Sequence, residues 1–267
     1  MIISQAHDFG FVHIAKCAGS TIRQQLRDKD DLGQRFYRSM THPDLGHINA
    51  NHLSLDVLAR YFPDEFAALR AVTSYTVVRA PMDRFISGIS QFIRDSDREP
   101  GDLSEDQIRQ TARNVITYME ALSGPPDYAH TLFIPQVNYV TLGEEQIIDH
   151  IYPMEALDRL FDRMEQVHGL TLVRDKVWNP TVTYRLGATA RPLKIAKDVA
   201  QSVLPMGAYI RLRDLAIGVF TTRGVPKMQQ ALEADSAVKA FVRDYYAEDT
   251  RLHDAALNDH GSSRSDR

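Results

Sequence analysis

The chain predicts an α/β fold built on a central parallel sheet, with helical additions toward its C-terminus. Three observations carry that expectation. Apolar, β-rich runs at 9–14, 75–78 and 147–152 are each followed within a few residues by apolar side chains at helical spacing. The first two runs enter their helices through short turns bearing Lys16 and Arg79, which puts basic residues at the C-terminal ends of strands, where open α/β sheets bind ligands. With 267 residues, 43% hydrophobic and 25% charged, the chain can bury a large core and has the composition of an ordinary globular enzyme. No internal repeat or linker divides it, so a single domain over 1–258 and a disordered tail over 259–267 are expected.

Charge and composition remove several classes. A formal net charge of −4 argues against a nucleic-acid coat or a membrane-surface protein. The one cysteine, Cys17, cannot form an internal disulfide. It reads as a small buried residue, with a thiolate nucleophile as the alternative. No apolar run approaches the ~20 residues of a membrane span, and the opening MIISQAHDFG lacks a basic region followed by a hydrophobic stretch. The expectation is a cytoplasmic protein without membrane span or nucleic-acid partner.

Taken in order, the elements begin with the strand from Phe9, followed by Lys16, the small residues Ala18 and Gly19, and the hydroxyl pair Ser20–Thr21. Ile22 and Leu26, four residues apart, then start a helix. The first N–H groups of a helix have no internal partner and its dipole is positive there, so this loop suits an anion; a plain strand-to-helix turn with a surface lysine is the alternative. Residues 35–51 show no period and read as loop. Ser54 is the expected N-cap of a helix with Leu55, Leu58, Tyr61 and Phe62 on its apolar face, ended by Pro63. His52 lies just outside that helix, where a positive dipole end favours the neutral imidazole that a general base requires; a capping or surface role is the alternative.

The strand at 75–78 ends on Arg79, and Pro81 suits the first turn of the next helix. Met82, Phe85, Ile86, Ile89, Phe92 and Ile93 form its core face, while Arg84 and Ser87 share the polar face. Arg79, Arg84 and Ser87 thus outline a second anion site, with a surface ion pair as the other role open to Arg84. Ser104 opens a capped helix carrying Ile108, Ala112, Val115, Ile116 and Met119. In LFIPQVNYVTLG, Gln136, Asn138 and Tyr139 are candidates to face a pocket. A helix from about Met154 to His168 is closed by Gly169, a short strand is expected at 170–173, and residues from about 228 to 257 read as one helix. Residues 174–228 are poorly periodic, with one apolar stretch at 215–220.

Two anion sites suggest a ligand with two separated phosphates. A kinase or ATPase loop fits poorly, because a Walker A lysine directly precedes its Ser/Thr, whereas Lys16 precedes Ser20 by four positions. The second strand ends on Arg79 rather than on an acidic residue suited to Mg²⁺.

The residues resemble those of sulfotransferases. HIAKCAGST at 13–21 is similar to the family's 5′-phosphosulfate loop, HIPKTGGTS, and RAPMDRFISGI at 79–89 is similar to its 3′-phosphate motif, RDPVERFISGY. ANHLSLDVL between them resembles the HGHVSYLDF-type segment of the heparan sulfate 2-O-sulfotransferase branch, in which the second His, here His52, is the catalytic base. FIPQVNYVTLG, the helix with Glu155, and VRDYYAEDTRLHD also resemble the carbohydrate-type domain. Ala15, Cys17 and Ala80 replace the usual Pro, Thr and Asp without removing a phosphate ligand, and Ala50 replaces the first His.

The resemblance implies a P-loop-like, three-layer αβα architecture and a bacterial-type soluble member of the family. It implies 3′-phosphoadenosine 5′-phosphosulfate (PAPS) as donor, adenosine 3′,5′-bisphosphate (PAP) as product, no required metal, and an acceptor hydroxyl on a carbohydrate. Lys16, the backbone of Ala18, Gly19, Ser20 and Thr21, and both hydroxyls would hold the 5′ end. Arg79 and Ser87 would bind the 3′-phosphate, His52 would be the base, and Lys16 would stabilise the departing nucleotide. An atypical small-molecule kinase and a nucleotide-binding relative without catalysis are the competing functions. Segments 28–51, 94–103 and 174–228 and residues Arg94, Gln136 and Asn138 are where acceptor contacts are expected.

Overall fold

The computed structural model describes residues 1–174 and 226–261, together with the backbone of a short strand pair between them. In chain order the elements are β1 (Ile2–Ser4), β2 (Phe9–Val12), α1 (Gly19–Leu26), the hairpin β3 (Met40–His42) and β4 (Gly46–Ile48), α2 (Leu55–Tyr61), α3 (Pro63–Arg70) and β5 (Thr73–Val78). Next come α4 (Pro81–Asp95), α5 (Glu105–Ala121), the small hairpin β6 (Thr141–Leu142) and β7 (Glu145–Gln146), β8 (His150–Pro153) and α6 (Leu157–His168). After them follow the pair β9 (Val182–Tyr184) and β10 (Thr221–Arg223), then α7 (Pro226–Ala234), α8 (Ser236–Tyr245) and α9 (Ala247–Gly261).

The central sheet has the order β1–β2–β5–β8, with helices on both sides. β2, β5 and β8 are parallel, whereas β1 pairs antiparallel with β2. The sheet is therefore mixed, a correction to the all-parallel expectation. The reason is local: only residues 5–8 join β1 to β2, far too few for the crossover that parallel pairing demands. Asp30 covers the outer edge of β1 by accepting from Ile3 N–H (3.2 Å), and Asp31 N–H donates to the Ile3 carbonyl (2.8 Å).

Two apolar clusters hold the layers. One joins the strands to α1, α2, α3 and α6 through residues such as Phe11, Ile22, Leu58, Leu69, Val77 and Phe161. The other packs α4 against α5, α7 and α8 through Phe85, Ile108, Met228 and Phe241. Each fully buried side chain of this size contributes about 1.5–3 kcal/mol of transfer free energy.

The capping box at Ser104 forms as expected, with Ser104 Oγ accepting from Gln107 N–H and Gln107 Oε1 accepting from Ser104 N–H. Elsewhere the structure corrects the sequence reading. The loop expected at 35–51 contains the β3–β4 hairpin, turned by Gly46 at φ +67°. Residues 170–173 are not a strand. Pro63 begins α3 as well as closing α2. The single helix expected over 228–257 is three, because the Asp235 carboxylate caps α8 by accepting from Ala237 and Val238 N–H and so ends α7. α9 runs to Gly261, past the expected start of the tail at 259; residues 262–267 and the apolar stretch at 215–220 lie outside the described residues. Among the described residues, no helix is long and apolar enough to cross a membrane.

Candidate functional site

Lys16 sits in the turn between β2 and α1, where it and Ala18 both adopt left-handed backbone angles, φ +68° and +55°. For side-chain-bearing residues this conformation costs roughly 1–2 kcal/mol each. It folds the chain back so that α1 starts directly at Gly19. Thr21 and Ile22 N–H donate to the Ala18 carbonyl (3.0 and 3.4 Å), and Ala18 offers no side-chain cap. That leaves the Gly19 and Ser20 N–H groups, at the positive end of the helix dipole, without a carbonyl of their own helix. Gly19 is required for a steric reason. A Cβ there would lie 1.6 and 1.9 Å from Cδ2 and Nε2 of His13, whose ring fills that space.

His52 closes a 3₁₀ turn, Ala50–His52, that precedes α2. Its Nδ1 lies 3.2 Å from the His13 carbonyl oxygen. A carbonyl only accepts, so Nδ1 carries the proton and Nε2 keeps a bare lone pair. Tyr139 Oη donates to the His52 carbonyl (3.2 Å), and the His13 ring packs against the His52 ring at 4.4 Å between centroids. Burial, opposed by the bond to the His13 carbonyl, pushes the imidazole pKa down to about 3. The imidazole is therefore neutral, as expected from its place in the sequence, and burial is the main cause.

Arg79 follows β5, and its guanidinium reaches the turn: Nη1 donates to the Lys16 carbonyl (3.3 Å). Its Nε is sealed from solvent with no hydrogen-bond partner among the described residues. Lys16 feels the crowding of cations, since burial, then Arg94 and Arg79, push its ammonium down to about 8. Lys16, Arg79 and Arg94 thus gather positive charge beside the start of α1, the setting that stabilises a bound anion. Arg94, a candidate acceptor contact, donates to Ser90 Oγ (2.7 Å) and lies 3.7 Å from Glu99. Ser87 is half-buried on α4, and no hydrogen bond among the described residues ties it to this cluster.

A buried scaffold fixes the spacing of these groups. Gln136 accepts through Oε1 from Arg79 N–H (2.9 Å) and from the Cys17 thiol (3.3 Å), and donates through Nε2 to the Arg79 carbonyl (2.8 Å). The Gln136 and Val137 N–H groups donate to Asp249 (2.8 and 2.9 Å), which pairs with Arg84 at 3.7 Å. Arg84 also donates to the carbonyls of Ala15, Leu132 and Ile134. Gln136 and Arg84 are fully buried, so neither faces a ligand, a correction to the pocket expectation for Gln136 and the anion-site expectation for Arg84. Asn138 is exposed. Burial pushes the Cys17 thiol up to about 12, so it is a small buried donor and not a nucleophile.

The structure brings Lys16, the α1 N-terminus, His52 and Arg79 together. Sequence reasoning missed His13, Tyr139 in its contact with His52, and Asp249. His13 carried a legible signal, a polar residue at the end of an apolar strand; Asp249, more than a hundred residues away, lies in the VRDYYAEDTRLHD stretch that resembles the family, but nothing there pointed to its pairing with Arg84. Comparison with models of known protein families, with curated proteins and with solved structures finds no match to this chain.

Proposed function

We propose that the chain is a sulfotransferase that moves a sulfuryl group from PAPS to a hydroxyl of a carbohydrate or glycoconjugate. The observation that carries the reading is that the backbone leading into the Lys16 turn also orients the base. The His13 carbonyl holds His52 Nδ1–H, three residues before Lys16, so a bare imidazole nitrogen and a leaving-group cation are fixed to one stretch of main chain. A P-loop-like reading of β2, the Lys16 turn and α1 belongs to the same proposal.

In this reading Lys16, the backbone of Ala18 to Thr21 and the Ser20 and Thr21 hydroxyls hold the 5′-phosphosulfate, and Arg79 with Ser87 holds the 3′-phosphate. His52 takes the acceptor proton at Nε2 while the acceptor oxygen bonds to sulfur and the bond from sulfur to the 5′-phosphate oxygen breaks. Lys16 neutralises the charge growing on that oxygen, PAP leaves, and His52 returns its proton to solvent. Fixed positive groups aimed at developing charge are the usual large term in group transfer.

Calorimetric titration with PAP and, in parallel, with ADP tests the proposal. Micromolar PAP binding without metal, little ADP binding, and loss of PAP binding in Arg79→Ala are expected. Preference for ADP, strengthened by Mg²⁺, would replace the proposal with a small-molecule kinase.

A further inference from the structure

His13 is a buried polar group with no part in the transfer step. It is 5% exposed, and its Nδ1 is sealed in the protein with no hydrogen-bond partner among the described residues. Burial, followed by the neighbouring His52, Arg23, N-terminus and Lys16, holds its pKa well below the ordinary value, so the ring is neutral and carries one proton. A proton on Nδ1 would be a buried donor with nothing to receive it. The proton therefore belongs on Nε2, the edge of the ring that abuts Gly19 at the first turn of α1. That edge adjoins the first turn of α1, where Gly19 and Ser20 N–H have no acceptor among the described residues.

We propose that His13 is a binding residue of the anion loop, donating Nε2–H to the 5′-phosphate group of the nucleotide beside the α1 N–H groups and Lys16. The assignment rests on the sulfotransferase reading for the identity of the nucleotide. It gives the glycine a functional reason: any side chain at position 19 would displace the ring from the anion. It also accounts for a buried imidazole placed among cations, an arrangement that favours a neutral donor over a second charge.

The test is a comparison of PAP with adenosine 3′-monophosphate, which lacks the 5′-phosphate, titrated into the wild-type protein, His13→Asn and His13→Gln. Asparagine places its amide at the position of Nδ1, whereas glutamine reaches that of Nε2. The affinity advantage of PAP over the monophosphate should fall about 10- to 100-fold in His13→Asn, the range for a hydrogen bond to a charged group. It should stay within about threefold of wild type in His13→Gln, with monophosphate binding unchanged in both. An undiminished advantage in His13→Asn, or an equal loss in both variants, overturns the assignment. If wild type binds neither nucleotide, the sulfotransferase reading fails instead. Should His13→Asn not fold, long-range ¹H–¹⁵N spectra of wild type decide: the His13 Nε2–H tautomer should be present and its signal should move on adding PAP. The other tautomer, or a signal that does not move, overturns the assignment.

Discussion

Replacing Arg84 by methionine should destabilise the fold strongly without removing any ligand-facing group. Arg84 and Asp249 are 1% and 0% exposed, and the guanidinium is the cation facing that carboxylate, 3.7 Å away. Removing one partner of a buried pair typically costs about 3–5 kcal/mol, because the other charge is left in a medium that cannot solvate it. At about 2–4 °C per kcal/mol for a domain of this size, Arg84→Met should melt roughly 6–20 °C lower at neutral pH. The loss should also depend on pH. Burial already raises the Asp249 pKa against the pull of Arg84 and of the Gln136 and Val137 N–H groups. Without Arg84 it rises further. A carboxyl whose folded pKa exceeds its unfolded one binds more protons when folded, so stability falls as pH rises toward the folded pKa and returns as pH is lowered. Part of the deficit should therefore be recovered between pH 7 and 5. Arg84→Met/Asp249→Asn, which leaves no uncompensated charge, should be less destabilised than the sum of its single variants. Thermal melts by circular dichroism across pH measure all of this. A variant melting within about 2 °C of wild type, insensitive to pH and unable to bind PAP, would refute the scaffold role and return Arg84 to the anion site.

Two further expectations concern the site. His52→Ala should lower turnover by ~10²–10⁴-fold, the usual general-base contribution, with PAP affinity unchanged; unchanged turnover with tight PAP binding would remove His52 as the base. Because Lys16 is held at about 8, it is largely deprotonated above that pH in the free protein and must recover its proton to pair with an anion. PAP affinity should then fall as pH rises from 8 to 9.5, by up to about tenfold per unit, with proton uptake on binding visible in buffers of different ionisation enthalpy. Lys16→Met should flatten that dependence, and binding without proton uptake near pH 9 would contradict the assignment.

The sequence by itself determined what local chemistry determines. The apolar runs that became β2, β5 and β8, the helical stripes of α4, α5 and α6, and the Ser104 capping box rest on contacts within a few residues, so their signals are continuous along the chain. Lys16, His52 and Arg79 were legible for the same reason, each lying beside the end of an element its neighbours define. Tertiary structure decided the rest. The antiparallel β1 is three residues long and too short to show a period, and its edge is satisfied by Asp30 and Asp31 from beyond α1. Gln136 and Arg84 read as ligand groups because polarity in sequence does not reveal burial, and only packing around Asp249 shows that their hydrogen bonds are spent inside the protein. The tautomer of His52 follows from a carbonyl thirty-nine positions away. Which atoms of a site are free to act depends on which the fold has already paired, and that pairing is made across the chain.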